Sequence, residues 1–202
     1  MQAGYCAVSV GSDSFAHFVS LACHDLRTPL ATVSGFAHTL QQNELGQPAD
    51  RYVEMIQAAS GQLADILDDL GLAARIEAGR FSPNLAEADT LELAGAAATL
   101  AGEKVAAAGT GGAVQVDRDV TERALASLAR CALRHGGLEQ VQLTADGAVV
   151  SVSPVLKNVA PIILGEELKD LGAAAGVRLV ESLGGSLAVE GEQLQVRLPS
   201  AG

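Results

Sequence analysis

Tryptophan is absent from this 202-residue chain, and all aromatics together amount to 3% of it. A core without large rings must be assembled from Leu, Val, Ile and Ala, which the 49% hydrophobic content supplies. Cysteine is scarce too: Cys6, Cys23 and Cys131 are odd in number, far apart and form no C-x-x-C pair. That pattern excludes a disulfide framework and a recognisable zinc motif, and points to a reduced, cytoplasmic protein. Positive charge is short, with 13 Lys and Arg against 24 Asp and Glu and a net charge of −11. Nucleic acid and anionic membranes both select basic patches, so neither is expected as a partner. No apolar run approaches the roughly 20 residues of a membrane span. The first dozen residues also lack the basic stretch that opens a secretory leader.

What is present begins with helical periodicity. Over residues 13–42, apolar side chains fall at Phe15, Val19, Ala22, Leu26, Leu30, Val33, Ala37 and Leu40. Steps alternating between three and four place them in an arc of about 80° on a helix turning roughly 100° per residue. The one strong breaker inside is Pro29, which removes a backbone donor and is expected to kink the helix. A polar linker over residues 41–49 carries Gly46 and Pro48, and Asp50 is placed to cap a second helix. The stripe then resumes at Tyr52, Ile56, Ala59, Leu63, Ile66, Leu70 and Ala73. Two long helices with a short loop make an antiparallel hairpin. Each seam repeats near 3.5 residues, so one hairpin leaves apolar surface uncovered and a homodimeric four-helix bundle is expected.

Gly79 and Pro83 end the helical pattern. Beyond them the sequence predicts one or two Ala-rich helices over residues 90–108, a Gly-rich loop at 109–112 and a helix over 120–135. Strand-like runs come next at 141–144 and 148–152, then a helix at 166–183 and strands at 186–189 and 194–198. Helices set on a mostly antiparallel sheet make an α+β domain. The expected division is an N-terminal segment 1–12, a helical dimerisation and phosphotransfer domain 13–80, and a small α/β sandwich domain 81–202.

The chemistry concentrates in His24-Asp25-Leu26-Arg27-Thr28-Pro29-Leu30. Ala22 and Leu26 belong to the buried stripe, so His24 points roughly 180° away from its centre, and Thr28 sits only about 40° from His24. An exposed imidazole can attack phosphorus if its second nitrogen is kept protonated by an acceptor, and Asp25 is the adjacent acid for that task. Thr28 is placed to orient a water for the reverse reaction. His17, His38 and His135 have no such surroundings and read as solvated side chains. Cys23 beside His24 is not a metal pair, because adjacent helical residues diverge.

This heptapeptide resembles the H-box of sensor histidine kinases, written H-[ED]-L-R-T-P-L. The second helix ends in Leu72-Ala73-Ala74-Arg75-Ile76-Glu77-Ala78-Gly79-Arg80, similar to the family's L-S-R-I-E-A-G-[KR]. The resemblance implies that His24 is the phosphoacceptor, Asp25 its assisting acid and Thr28 the phosphatase residue, with Arg27 and Pro29 on the face that meets a partner. It implies as partners a second copy of the chain, response-regulator receiver domains and an upstream hybrid histidine kinase.

The remainder is similar to the family's ATPase domain in scaffold but not in its nucleotide grip. Ser127 and Cys131 stand where the family has two asparagines, and a thiol is a poor ligand for the magnesium that the second asparagine holds. Ser153 stands where an acid reads adenine, and no D-x-G-x-G comes after it. Asp170-Leu171-Gly172-Ala173-Ala174 replaces the glycine-rich lid, about sixteen residues after Ser153. Gly109-Thr110-Gly111-Gly112 lacks the G-K-[ST] of a phosphate loop, and Gly172 and Gly176 read as helix-packing positions. Arg178 through Leu187 and the closing Leu198-Pro199 keep the family's final helix, turn and strand. The expectation is therefore a degenerate histidine kinase-like ATPase domain, without ATP, a cofactor or a metal of its own, and a histidine phosphotransferase that exchanges phosphoryl groups with receiver aspartates. Magnesium would come with the receiver's acidic site. The alternatives are an active kinase core with a divergent pocket, and a non-catalytic module that binds a response regulator.

Overall fold

The computed structural model describes residues 10–42 and 49–201. Two compact units are formed, residues 1–70 and 71–202.

In the first, α1 (Val10–Gln42) runs unbroken through Pro29, and α2 starts at Ala49 and ends at Glu77. Phe36 of α1 stacks on Tyr52 of α2 with ring centroids 5.4 Å apart, which fastens the two helices next to their connection. The chain is thus a helical hairpin followed by an α/β domain. Ala22 and Ala59 are buried on the expected stripes and Phe18 is buried outside them, whereas Leu30, a stripe position, and Val53, Met55 and Leu67 stay exposed. Most of the expected linker, Gly46 and Pro48 included, lies outside the described residues. Asp50, expected as a cap, falls within α2, because the helix starts one residue earlier.

The second unit is a two-layer sandwich. A five-stranded sheet has the order β2 (Val105–Gly111), β4 (Val141–Gly147), β5 (Val149–Ser153), β7 (Gln193–Arg197), β6 (Ser186–Glu190). Only the β2–β4 pair is parallel. Burial alternates along the strands: Val141, Leu143 and Ala145 of β4, Val150 and Val152 of β5, and Leu194 and Val196 of β7 are buried, with polar residues between. That single apolar face is covered by α3 (Thr90–Ala101), α4 (Arg118–Gly136) and α6 (Leu171–Ser182). A separate two-stranded antiparallel sheet is formed by β1 (Ala86–Asp89) with β3 (Ala113–Val116), which are joined through α3 and β2. The last turns of α2 belong to this unit, where Leu72 packs with Ala124 and Leu179.

Three expectations change. The helix predicted to reach residue 108 stops at Ala101, because Gly102 turns to φ 105°, and Ala106, Ala107 and Ala108 pair with β4 instead. Tertiary pairing there overrides the helix propensity of alanine. Gly109 belongs to the same strand, not to a loop, and a Cβ on it would collide with the Ala145 backbone. The helix predicted from 166 begins only at Leu171, since Asp170 caps it, while a short α5 (Ala160–Ile163) carries Ile162 and Ile163 into the core.

Candidate functional site

The first constellation lies on α1. The His24 side chain is 76% exposed, and its Nδ1 lies 3.1 Å from Asp25 Oδ1. A carboxylate can only accept, so in a neutral imidazole Nδ1 carries the proton and Nε2 keeps its lone pair, directed away from the acid. Adjacent helical side chains do not normally face each other, so this contact reflects two side chains bending toward one another over an open surface. One turn on, Thr28 is exposed beside Arg27, and its carbonyl accepts a 3.0 Å bond from the Thr32 hydroxyl. Pro29 has no N–H to return to the Asp25 carbonyl within the same turn. The proline ring itself is buried, so of the two residues assigned to a partner face only Arg27 presents its side chain. His17's side chain lies outside the described set.

The second constellation joins α4 to the start of α6. Ser127 and Cys131, at the two asparagine-like positions, are both buried, and Arg130 donates to the Ser127 hydroxyl at 3.2 Å. Asp170 is 5% exposed and carries several contacts. Its Oδ1 accepts the Ala173 amide at 3.0 Å and thereby caps α6. Its Oδ2 lies 3.2 Å from His135 Nε2 and 3.4 Å from an Arg134 guanidinium nitrogen. Burial pushes the Cys131 thiol well above its ordinary range, and the neighbouring Asp170 charge raises it further, while Arg134 acts in the opposite sense. This thiol is therefore held protonated. His135 is not the solvated side chain that its sequence context suggests: it is 22% exposed and paired with the buried acid. The spacing of Cys131 and His135, one turn apart on α4, is a legible sign; Asp170, thirty-five positions later, is not.

Two further positions bear on a nucleotide. Ser153 ends β5 and lines, with Glu103, Lys104, Gln140 and Pro154, a cavity of about 400 Å³ at the ends of β2, β4 and β5. The stretch between Pro154 and Asp170, where a lid would lie, instead sends Val155, Val159, Ile162 and Ile163 into the main core. Neither Ser127, a hydroxyl, nor Cys131, a thiol, has the side-chain amide oxygen of an asparagine to offer a magnesium ion, so these two residues do not match the asparagines of the family's nucleotide grip.

Residues 16–79 match the His Kinase A (phospho-acceptor) domain. The chain is 30% identical over 172 residues to the histidine protein kinase DivJ of Caulobacter vibrioides, an alignment that takes in 78% of this chain and 28% of that one. The hybrid signal transduction histidine kinase L of Dictyostelium discoideum is 35% identical over 63 residues, 31% of this chain and 4% of that protein. This chain thus spans less than a third of the length of these curated relatives. Among solved structures, the histidine kinase AdeS of Acinetobacter baumannii superposes with a TM-score of 0.66 at 16% identity, covering 89% of this chain and 98% of that one. At that identity the likeness establishes the fold. Among the described residues, no helix is long and apolar enough to cross a membrane.

Proposed function

From the premise that the chain carries the core of a two-component histidine kinase, we propose that it works as a dimeric histidine phosphotransferase without ATP-dependent autophosphorylation of its own. The observation that carries this reading is the exposed His24 paired through Nδ1 with Asp25 at 3.1 Å. In the forward step, the Nε2 lone pair attacks the phosphorus of a receiver's aspartyl phosphate. The N–P bond forms, the P–O bond to the aspartate breaks, and that carboxylate leaves with the electron pair. Asp25 stabilises the positive charge that develops on the ring, and the Nδ1 proton can pass to it or to water. Transfer to a second receiver is the same exchange reversed. Thr28, one turn along, orients a water that attacks the receiver's acyl phosphate when the flow is to be ended. The magnesium that phosphoryl transfer needs is supplied at the receiver's own carboxylates.

Support for the lack of kinase activity comes from the other domain. Cys131 is buried beside Asp170, and the segment after Pro154 is packed into the core. Support for a homodimer comes from Leu30, Val53, Met55 and Leu67, apolar side chains that the hairpin alone leaves in water.

One observation favours a second reading, an active kinase: the similarity to DivJ extends over 78% of this chain, well past the phospho-acceptor helices. Incubation with labelled ATP and Mg²⁺, with His24→Ala as control, separates the two. No label from ATP, followed by label acquired from a phosphorylated receiver on the wild type alone, is the expected result. Label from ATP on the wild type would establish the kinase and overturn the phosphotransferase.

A further inference from the structure

Cys131, His135 and Asp170 play no part in the chemistry at His24, yet the fold gathers them. Their ligand atoms, one thiol sulfur, one imidazole nitrogen and one carboxylate oxygen, all lie within 4.8 Å of one another. We propose that these three residues form a zinc site that ties α4 to the start of α6.

The geometry is close to what zinc requires. With bonds of about 2.0–2.3 Å, the ligand atoms of a tetrahedral zinc stand about 3.3–3.7 Å apart. His135 Nε2 and Asp170 Oδ2 are 3.2 Å apart already, and the widest pair must close by roughly an ångström, which side-chain rotation on a fixed backbone provides. Cys131 and His135, four residues apart on α4, project from one face of the helix. Asp170 is oriented from behind, because its Oδ1 accepts the Ala173 amide and Oδ2 is left facing the imidazole. Such an outer contact is what metal-binding carboxylates ordinarily have.

Close approach of the two helices makes this possible. Gly176 of α6 meets α4 at Ala124, where a Cβ would stand 3.4 Å from the Ala124 carbonyl oxygen. Cys131 is fully buried and Asp170 nearly so, while His135 is 22% exposed. A water entering on the His135 side completes four-coordination.

The donor set selects the metal. Thiolate with imidazole suits zinc and is unsuited to magnesium or calcium, which demand oxygen. When zinc binds, the Cys131 S–H proton leaves to solvent and His135 binds as the neutral ring. One thiolate and one carboxylate then balance the charge of the ion. Arg134, 65% exposed and 3.4 Å from Asp170, is the opposing cation in the metal-free protein and turns out to solvent. The consequence is a clamp where the family resemblance places a mobile lid. It holds whether or not His24 exchanges phosphoryl groups.

Cobalt(II) tests this in the full chain, untagged and stripped with a chelator. The wild type is expected to bind one Co²⁺ with a thiolate-to-cobalt charge-transfer band and the intense visible bands of a tetrahedral ion, both removed by one equivalent of Zn²⁺. Zn²⁺ should also raise the melting temperature. Cys131→Ser should abolish the charge-transfer band, Cys23→Ser should keep it, and His135→Gln should weaken binding at least tenfold. A wild type without the band, or a band that survives in Cys131→Ser, overturns the proposal. Should Cys131→Ser fail to fold by circular dichroism, His135→Gln decides: unchanged affinity overturns the site, and a tenfold loss sustains it.

Discussion

At His24 the decisive element is a single proton. Nδ1 keeps it and donates it in a hydrogen bond to Asp25 across 3.1 Å, which leaves Nε2 as the nucleophile on a side chain that is 76% exposed. Asp25→Asn keeps the size of the side chain but cannot carry the charge that offsets an imidazolium. Phosphotransfer from a phosphorylated receiver should fall about a hundredfold, with helix content unchanged. A rate equal to wild type would remove Asp25 from the chemistry. The two described cysteines should separate just as sharply. Thiolate is the reactive form, and Cys131 is both buried and shifted upward by burial and by Asp170, whereas Cys23 is exposed. Brief alkylation of the native, metal-free protein near pH 8, read by peptide mass spectrometry, should modify Cys23 and spare Cys131 until denaturant is added. Equal modification of both would mean that α4 opens readily.

The helices are legible where one pattern dominates. The stripes from Phe15 to Leu40 and from Tyr52 to Ala73 need only a period near 3.6, and α1 and α2 form over them, with Leu30 and Ala37 the stripe members left exposed. Residues 105–108 mislead because Val-Ala-Ala-Ala has no alternation of its own and becomes a strand only by lying beside β4. The expected helix at 166–183 is too long for a related reason: nothing local distinguishes Glu166 from Glu181, and the start is fixed by Asp170 capping Ala173. The role of Gly176 in packing is readable from sequence, since a residue without a side chain inside an apolar helix implies a close neighbour, and that neighbour is Ala124. Gly176→Val should therefore push α6 off α4. The expected cost is about 1–3 kcal/mol, of the order seen for overpacked cores, measured as a lower denaturant midpoint with an unchanged slope. Stability at or above wild type would mean the contact yields without strain.

For the whole chain, the sequence makes the phosphoacceptor visible but not the Cys131–His135–Asp170 cluster. The first lies within seven consecutive residues, and the second needs two helices brought together by the sheet they share. Assembly is the remaining question at this scale. Leu30 and Leu67 are each slightly more than half exposed in the single chain. An excess of acid leaves the net charge at −11, which opposes association, so the apolar seam must outweigh repulsion between two like-charged copies. Covering the exposed half of a leucine is worth about 1 kcal/mol. By two-fold symmetry two such positions occur four times in a dimer, or about 4 kcal/mol and about a thousandfold in Kd. The full chain should thus sediment as a dimer at micromolar concentration, and the double substitution Leu30→Glu with Leu67→Glu should move it to monomer. Salt should tighten the wild-type dimer modestly by screening the repulsion. A wild type that sediments as a monomer, or a double variant as dimeric as the parent, would show that this seam is not where two copies meet.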